Sequence, residues 1–220
     1  MGKFIFLEGP DFCGKTTQLD MLDTVELHKN LDVFITREPG SFLPDSMEIC
    51  ELIRDKILHK ENTLYEEALL FAESRYHHTK EIRDILIKWP ESTVISDRYI
   101  ISSLAYQGYA QGLGKDIIYD INQPTLDLLE GLDLHCIKFN IDNEVWHERR
   151  RRRMQIDALD NIEKKNIHEK VLEFFTNDEI FNDYTDRLNM TVHNIDSNKT
   201  IDEIQCELKS IVNNLLYGLN

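Results

Sequence analysis

Near the start of the chain stands Gly9-Pro10-Asp11-Phe12-Cys13-Gly14-Lys15-Thr16, the most informative segment of the sequence. It fits the pattern G-x-x-x-x-G-K-[ST], in which a glycine-rich loop encloses phosphate groups. The apolar run 3–7 before it is typical of a buried parallel strand, and residues 16–22 read as the start of a helix. Strand, glycine-rich loop and helix in this order predict a phosphate-binding loop. The alternative, a chance glycine turn before an ordinary helix, does not account for both flanking elements.

The parts of this phosphate-binding loop have defined tasks. Backbone N–H groups of the loop and of the following helix N-terminus point at phosphate oxygens. Lys15 can reach the β and γ phosphates, and the Thr16 hydroxyl can ligate Mg²⁺. The loop therefore predicts that the protein binds a nucleoside triphosphate together with Mg²⁺.

The composition limits the class of protein. With 220 residues, of which 41% are hydrophobic, the chain is expected to form one domain over residues 1–220. Its formal net charge of −15 disfavours general nucleic-acid binding. No apolar run is long enough to span a membrane and no signal peptide precedes the first strand, so we expect no membrane partner. The four cysteines form no CxxC pair, which argues against a zinc site or a disulfide framework and fits a cytoplasmic location.

Strand-like and helix-like segments alternate along the chain. Further strands are predicted at 33–36, 93–96, 134–139 and 190–192. Helices are predicted at 45–59, 64–88, 102–111, 115–129 (interrupted or offset near Pro124), 144–152, 162–184 and 201–216. This alternation predicts an α/β fold of the P-loop NTPase type, with a central parallel five-stranded sheet flanked by helices. Ligands bind such sheets at the carboxyl ends of the strands. Arg37 and Arg98 each follow a predicted strand and are expected at that edge, although surface ion pairs are the alternative for both.

Several segments resemble the thymidylate kinase (dTMP kinase) family in their order and spacing. They are residues 6–18 around the loop, Thr36-Arg37-Glu38-Pro39-Gly40, the run from Leu69 to Arg75, and Ser96-Asp97-Arg98-Tyr99 followed by the run from Ser102 to Gly108. The resemblance covers residues 3–165, and the form of the run from Ser102 to Gly108 is similar to that of the bacterial branch of the family. It implies a nucleoside monophosphate kinase-like fold with a short lid, and transfer of the γ-phosphoryl group of ATP to dTMP to give dTDP. It also implies a homodimer.

The resemblance implies roles for individual residues. ATP is expected to contact the whole loop, namely Gly9, Pro10, Asp11, Phe12, Cys13, Gly14, Lys15, Thr16 and Thr17. Asp11 is also expected to bind the sugar 3′-OH of dTMP, and Arg37 and Arg98 its phosphate. Thr16 and Asp97 are expected to organise Mg²⁺, directly or through water. The base and sugar of dTMP are expected to contact Phe71, Arg75, Ser103, Tyr106 and Gln107, with Phe71 stacked on thymine and Tyr106 crowding a ribose 2′-OH.

Simpler interpretations stay open for some of these residues. Phe71 and Tyr106 are apolar enough to be ordinary core residues. Arg75 lies in a predicted helix and can serve as an ion-pair partner, and Asp97 can cap a helix.

The run Arg149-Arg150-Arg151-Arg152-Arg153 follows the fourth predicted strand and one helix. A solvated helix face and a basic patch for nucleic acid are two interpretations of it. Its position favours a third, a lid over residues 148–163 that closes on ATP. Arg149 and Arg153 share a helix face and are expected to act in catalysis together with Lys15, Asp11 and Arg98, with Arg151 the weaker candidate.

The chain departs from the family pattern at several positions. Phe12 stands where Gly or Arg is usual, so we expect a changed loop conformation and a catalytic cation that comes from the lid. Asn161 replaces an arginine of the lid. Cys13 replaces a smaller residue, and its thiol at a helix N-terminus is either oxidation-sensitive or simply tolerated. Three hypotheses remain: a dTMP kinase, a related P-loop kinase acting on another deoxynucleotide or nucleoside, and a catalytically inactive nucleotide-binding protein.

Overall fold

The structure, a computed structural model, describes residues 2–22, 33–41, 44–59, 61–154 and 162–218. A five-stranded sheet lies at its centre, with the strand order β2-β3-β1-β4-β5. The strands are β1 (Lys3–Glu8), β2 (Val33–Arg37), β3 (Thr93–Asp97), β4 (Asp133–Asn140) and β5 (Thr191–Asp196). All neighbouring pairs are parallel. The predicted parallel five-stranded α/β sheet is therefore confirmed.

The helices of the described residues connect these strands. They are α1 (Lys15–Asp20), α2 (Pro44–His59), α3 (Leu64–Lys88), α4 (Ile100–Ser103) with a π-helix directly after it (Leu104–Ala110), α5 (Lys115–Leu129), α6 (Asn143–Met154), α7 (Ile162–Thr176), α8 (Asp178–Thr185) and α9 (Ile201–Tyr217). Two of them begin with a capping box, in which Thr63 pairs with Glu66 and Thr200 pairs with Glu203. None of the helices in the described ranges is long and apolar enough to cross a membrane.

Strand β1 is buried on both faces of the sheet. Phe4 and Phe6 pack into a cluster with residues of α3, α4 and α5. Ile5 and Leu7 pack into a second cluster with residues of α6 and α9. Because side chains alternate across a strand, a strand that is covered on both sides has to be apolar at every position. This explains the continuous apolar run before the loop.

The register of the sheet brings the predicted site residues to one edge. Asp97 is paired with Leu7 of β1 on one side and with Arg37 of β2 on the other. The loop that follows β1 starts at the same level, and α1 begins directly after Gly14, which has a φ of 102°. The carboxyl ends of three neighbouring strands therefore surround the loop.

Two predicted helices differ from those observed. In place of one helix over 102–111, α4 begins at Ile100 and the chain then forms a π-helix, with the Gln111 N–H donating to Tyr106 O at 3.0 Å. In place of one helix over 162–184, α7 and α8 are separated at Asn177, whose side chain accepts hydrogen bonds from Glu179 N and Ile180 N. An asparagine that caps a new helix N-terminus ends the preceding helix.

The predicted interruption near Pro124 does not occur, because α5 continues through this residue. A proline removes one backbone hydrogen bond from a helix. The buried face of α5, which includes Ile118, Tyr119 and Asn122, holds the helix against the core despite that loss.

Candidate active site

The phosphate-binding loop folds around the ammonium group of Lys15. The Lys15 Nζ donates to Gly9 O at 2.7 Å and to Pro10 O at 2.9 Å. Gly9 has a φ of 153°, and a side chain there would meet Phe139 O at 3.0 Å. Only glycine fits this position. The loop thus has the tight curvature that lets backbone N–H groups converge on a phosphate.

Phe12 keeps the loop conformation that a glycine would favour. Its φ is 67°, in the left-handed region that side chains avoid. The ring lies 5.9 Å from that of Trp146 and 5.9 Å from that of His168. The indole N–H of Trp146 also donates to Asp11 O at 2.7 Å. These contacts with α6 and α7 hold the strained residue in place.

Thr16 and Asp97 meet at the end of the sheet. The Thr16 hydroxyl donates to Asp97 Oδ2 at 2.8 Å. The other carboxylate oxygen, Oδ1, is buried and has no hydrogen-bond partner among the described residues. A buried carboxylate oxygen without a partner costs free energy, and it is a suitable ligand for a hard cation.

Asp11 is the centre of a polar cluster beside the loop. It forms an ion pair with Arg98, and it accepts a hydrogen bond of 2.7 Å from the Tyr106 hydroxyl. The Nδ1 of His168 lies 3.2 Å from Asp11 Oδ2. Burial alone would raise the pKa of Asp11, but the charge of Arg98 and these donors outweigh it and hold the pKa well below its ordinary value. Asp11 is therefore a carboxylate at neutral pH.

Arg98 and Tyr106 are themselves fixed by this cluster. Arg98 has a φ of 70°, and its Nη1 donates to Ser102 Oγ at 2.9 Å. Its guanidinium lies 5.5 Å from the centre of the Tyr106 ring. Burial and the nearby Asp11 carboxylate raise the pKa of Tyr106 well above its ordinary value, so its hydroxyl keeps its proton and donates. Strained backbone at Phe12 and Arg98 is concentrated at this one place, as is common at functional sites.

A cavity of about 330 Å³ opens next to this cluster, and we call it the acceptor cavity. Its lining includes all but one of the residues predicted to bind dTMP, namely Asp11, Phe71, Arg75, Arg98, Ser103, Tyr106 and Gln107. Arg75 is held there by three partners: its Nε donates to Glu38 at 2.9 Å, its Nη1 to Asn122 at 2.8 Å and its Nη2 to Ser103 at 2.9 Å. Phe71 and Tyr106 both line this cavity, and Tyr106 also packs against the core cluster that contains Phe4 and Phe6, so core packing and a place in the cavity wall coexist at Tyr106.

Arg37, the remaining residue of that set, lines a second cavity of about 630 Å³. This cavity also contains Thr16, Asp97 and Arg54, and Pro39 lines both cavities. Arg37 and Arg98 therefore approach the end of the sheet from two sides. Arg54 lies on α2 outside the segments that resemble the family, so the sequence assigned it no role.

The arginine run divides into separate environments. Arg149 lies against the loop, with Nη1 donating to Cys13 O at 3.0 Å and Nη2 donating to Ser197 O at 2.7 Å. Arg150 is buried beside Trp146. Arg153 is exposed in the last turn of α6. Of the two predicted catalytic arginines, Arg149 therefore contacts the loop and Arg153 is exposed to solvent. Residues 155–161 of the expected lid, Asn161 among them, lie outside the described residues.

Glu8 lies in the segment around the loop that resembles the family, but the sequence assigned it no role. It is fully buried, and its carboxylate accepts hydrogen bonds from Tyr99 N at 2.7 Å, Ser102 N at 3.1 Å and Ser102 Oγ at 2.8 Å. Burial raises its pKa to about 7. The sequence signal that could have indicated Glu8 is an acidic residue directly after the apolar run Phe4–Leu7. Glu8 ties the loop strand to the turn that carries Arg98.

Cys13 is fully buried between the loop and the core. An oxidant does not reach a thiol in this position without local opening. The burial supports the simpler interpretation, in which Cys13 is a tolerated small residue.

Comparisons with known proteins identify the family of this chain. The family model for thymidylate kinase matches residues 7–207. The thymidylate kinase of Geobacillus sp. (strain WCH70) is 37% identical over 209 residues, which cover 92% of each chain. That of Clostridium novyi (strain NT) is 36% identical over 222 residues, which cover 96% of this chain and 98% of the relative. The structure also resembles the crystal structure of thymidylate kinase from Ehrlichia chaffeensis, with a TM-score of 0.63, 24% identity and coverage of 96% of this chain and 98% of that chain; this likeness concerns the fold.

The family match extends over nearly the whole chain, and both relatives match more than nine-tenths of it. The resemblance expected from the motifs, with its bacterial character, its fold class and its enzyme class, is thereby confirmed. This chain belongs to the thymidylate kinase family, which phosphorylates dTMP to dTDP with ATP.

Proposed function

We propose that this protein transfers the γ-phosphoryl group of ATP to the phosphate of dTMP, with the acceptor held in the acceptor cavity. The observation that carries the proposal is the position of Asp11. It belongs to the phosphate-binding loop, and it also lines the acceptor cavity together with Arg98 and Tyr106. A donor phosphate on the loop and an acceptor in the cavity are therefore neighbours, as phosphoryl transfer requires.

The chemistry needs positioned cations more than it needs a base. An oxygen of the dTMP phosphate attacks the γ-phosphorus, the bond from that phosphorus to the β–γ bridging oxygen breaks, and ADP leaves with the bonding electrons. A phosphate oxygen is already anionic at neutral pH, so no proton has to be removed from the nucleophile. Lys15 and the loop amides bind the ATP phosphates, and Arg37 and Arg98 bind the acceptor phosphate.

Mg²⁺ fits the residues at the end of the sheet. The Thr16 hydroxyl and the half-buried Asp97 carboxylate supply oxygen ligands, directly or through water. When bound, the ion neutralises charge that develops on the β and γ phosphate oxygens. The orphan Oδ1 of Asp97 is the feature that supports this assignment.

The base and the sugar of dTMP match the lining of the acceptor cavity. Phe71 offers a ring for stacking on thymine, and Arg75 and Gln107 offer polar groups to its edge. Asp11 accepts a hydrogen bond from the 3′-OH of the sugar. The Tyr106 ring occupies the space that a 2′-OH would need. Ser103 completes the wall and orients Arg75.

The lid and the assembly complete the proposal. Residues 148–163 form the lid of a single domain, 1–220, and Arg149 and Arg153 deliver positive charge to the transferring group. The hydrogen bond from Arg149 to Cys13 O supports this role for Arg149. The chain acts as a homodimer in the cytoplasm. Exposed Tyr65, Leu69 and Tyr76 give α3 an apolar surface that suits a second copy, and light scattering measures the mass.

A coupled assay of ADP release tests the function. The acceptors dTMP, dUMP, dCMP, dGMP and thymidine are offered in turn with ATP and Mg²⁺. The proposal predicts the highest kcat/KM for dTMP. A preference for thymidine would show a nucleoside kinase, and ATP binding without turnover on any acceptor would show an inactive nucleotide-binding protein.

A further inference from the structure

Glu67 lines the acceptor cavity but has no role in the proposed reaction so far. It lies in the first turn of α3, four residues before Phe71. Its Oε1 accepts a hydrogen bond of 2.9 Å from Nε2 of Gln107, a residue of the π-helix. Gln107 is only 5% exposed, so water competes little for this bond.

The contact with Glu67 determines the orientation of the Gln107 amide, that is, whether its NH₂ group or its oxygen faces Glu67. A carboxylate accepts hydrogen bonds and donates none, so the amide group that contacts it has to be the NH₂. The amide oxygen lies at the opposite end of the planar group. It is therefore available as an acceptor on the side of Gln107 that faces away from Glu67.

We infer that Glu67 is a specificity-determining positioning residue, which fixes the Gln107 amide so that its oxygen is presented to N3 of a pyrimidine base. The inference rests on the proposed function, since it concerns the base of the same acceptor. Thymine and uracil carry a hydrogen on N3 and donate it. Cytosine has a lone pair at N3, so the oxygen of Gln107 faces an acceptor there and the contact is repulsive.

The second polar group of the cavity supports the same selection. Arg75 has only donors, and Glu38, Asn122 and Ser103 hold it in place. A fixed donor suits O4 of thymine and opposes the amino group that cytosine carries at that position. Arg75 cannot reverse its character, whereas an amide can rotate and exchange its donor for its acceptor. Of Arg75 and Gln107, only Gln107 can therefore present either a donor or an acceptor to the base, and the hydrogen bond to Glu67 prevents its amide from rotating.

The variant Glu67→Gln tests the inference, because the new amide can donate to Gln107 as well as accept from it. Gln107 is then free to turn its NH₂ toward the base. We expect kcat/KM to fall for dTMP and dUMP together and to rise for dCMP, so that the ratio of dTMP to dCMP decreases by about 10- to 100-fold. The matched control is Glu73→Gln, an exposed position on the same helix, which should leave all three values unchanged.

Two further variants separate positioning from a general structural role. Glu67→Asp keeps a carboxylate and should retain most of the preference for dTMP even where stability falls. In a Gln107→Leu background, Glu67→Gln should no longer change the ratio, because the group through which it acts is gone.

The outcomes distinguish this inference from the proposed function. If Glu67→Gln lowers turnover of dTMP and dCMP by the same factor, Glu67 has a structural role and the inference is wrong. The same conclusion follows if the ratio still changes in the Gln107→Leu background. If the unmodified protein does not use dTMP, the proposed function fails whatever Glu67 does.

Discussion

Replacing Arg98 by alanine separates the acceptor half of the site from the ATP half. The substitution removes the ion pair with Asp11, the hydrogen bond to Ser102 and the proposed contact with the dTMP phosphate. Loss of one partner of a largely desolvated charge pair costs about 2–5 kcal/mol, which corresponds to a decrease in kcat/KM for dTMP of roughly 30- to 4000-fold. Tyr106 still donates to Asp11, and alanine at this φ is no more strained than arginine, so we expect the variant to fold.

The assay measures kcat/KM for dTMP at saturating ATP, and ATP affinity by calorimetry. ATP affinity should change little, because Lys15 and Thr16 keep their contacts within the loop and with Asp97. Arg187→Ala is a matched control, since Arg187 is 46% exposed and pairs with Asp116. A variant that keeps dTMP kinetics within threefold of the unmodified protein, or that loses ATP affinity to the same extent as dTMP turnover, would refute the role of Arg98.

Two further predictions concern stability. Phe12 has a left-handed φ of 67°, which glycine adopts more easily than alanine. We therefore expect the Phe12→Gly variant to be more stable than Phe12→Ala by about 0.5–1 kcal/mol, the reverse of the usual order of these two residues. Thermal melting of the two variants measures the difference, and equal melting midpoints would show that the backbone at Phe12 is not strained. For Glu8, burial raises the pKa from 4.5 to about 7, so the folded state binds the proton more tightly and stability falls as pH rises through this window. The free energy of unfolding should fall by on the order of 3 kcal/mol over this pH range, and this fall should be absent in Glu8→Gln. Urea unfolding at several pH values measures it, and the same pH dependence in both proteins would contradict the prediction.

The sequence was sufficient for the sheet and the loop because their signals are local. An apolar run, a glycine pattern and a lysine followed by threonine specify the strand, the turn and the helix start within the first 17 residues. The motifs around Arg37, Arg98 and Gln107 were sufficient to predict most of the residues that line the acceptor cavity, because the register of the sheet brings the elements that carry these motifs together.

The parts that sequence reasoning missed depend on contacts between distant segments. No local pattern shows that Trp146 and His168 approach the loop and hold Phe12 in a left-handed conformation. The π-helix that carries Gln107 has no compositional signature. Glu67 looked like one of several acidic residues of α3, and only its distance from Gln107 distinguishes it.

We propose direct phosphoryl transfer from ATP on the phosphate-binding loop to dTMP in the acceptor cavity. The most direct test supplies ATP with a radioactive γ-phosphoryl group, together with dTMP and Mg²⁺, and separates the products by chromatography. We expect the label to appear in dTDP in an amount equal to that of the ADP formed. Label that appears only in inorganic phosphate, or that stays in ATP while dTMP is bound, would contradict it.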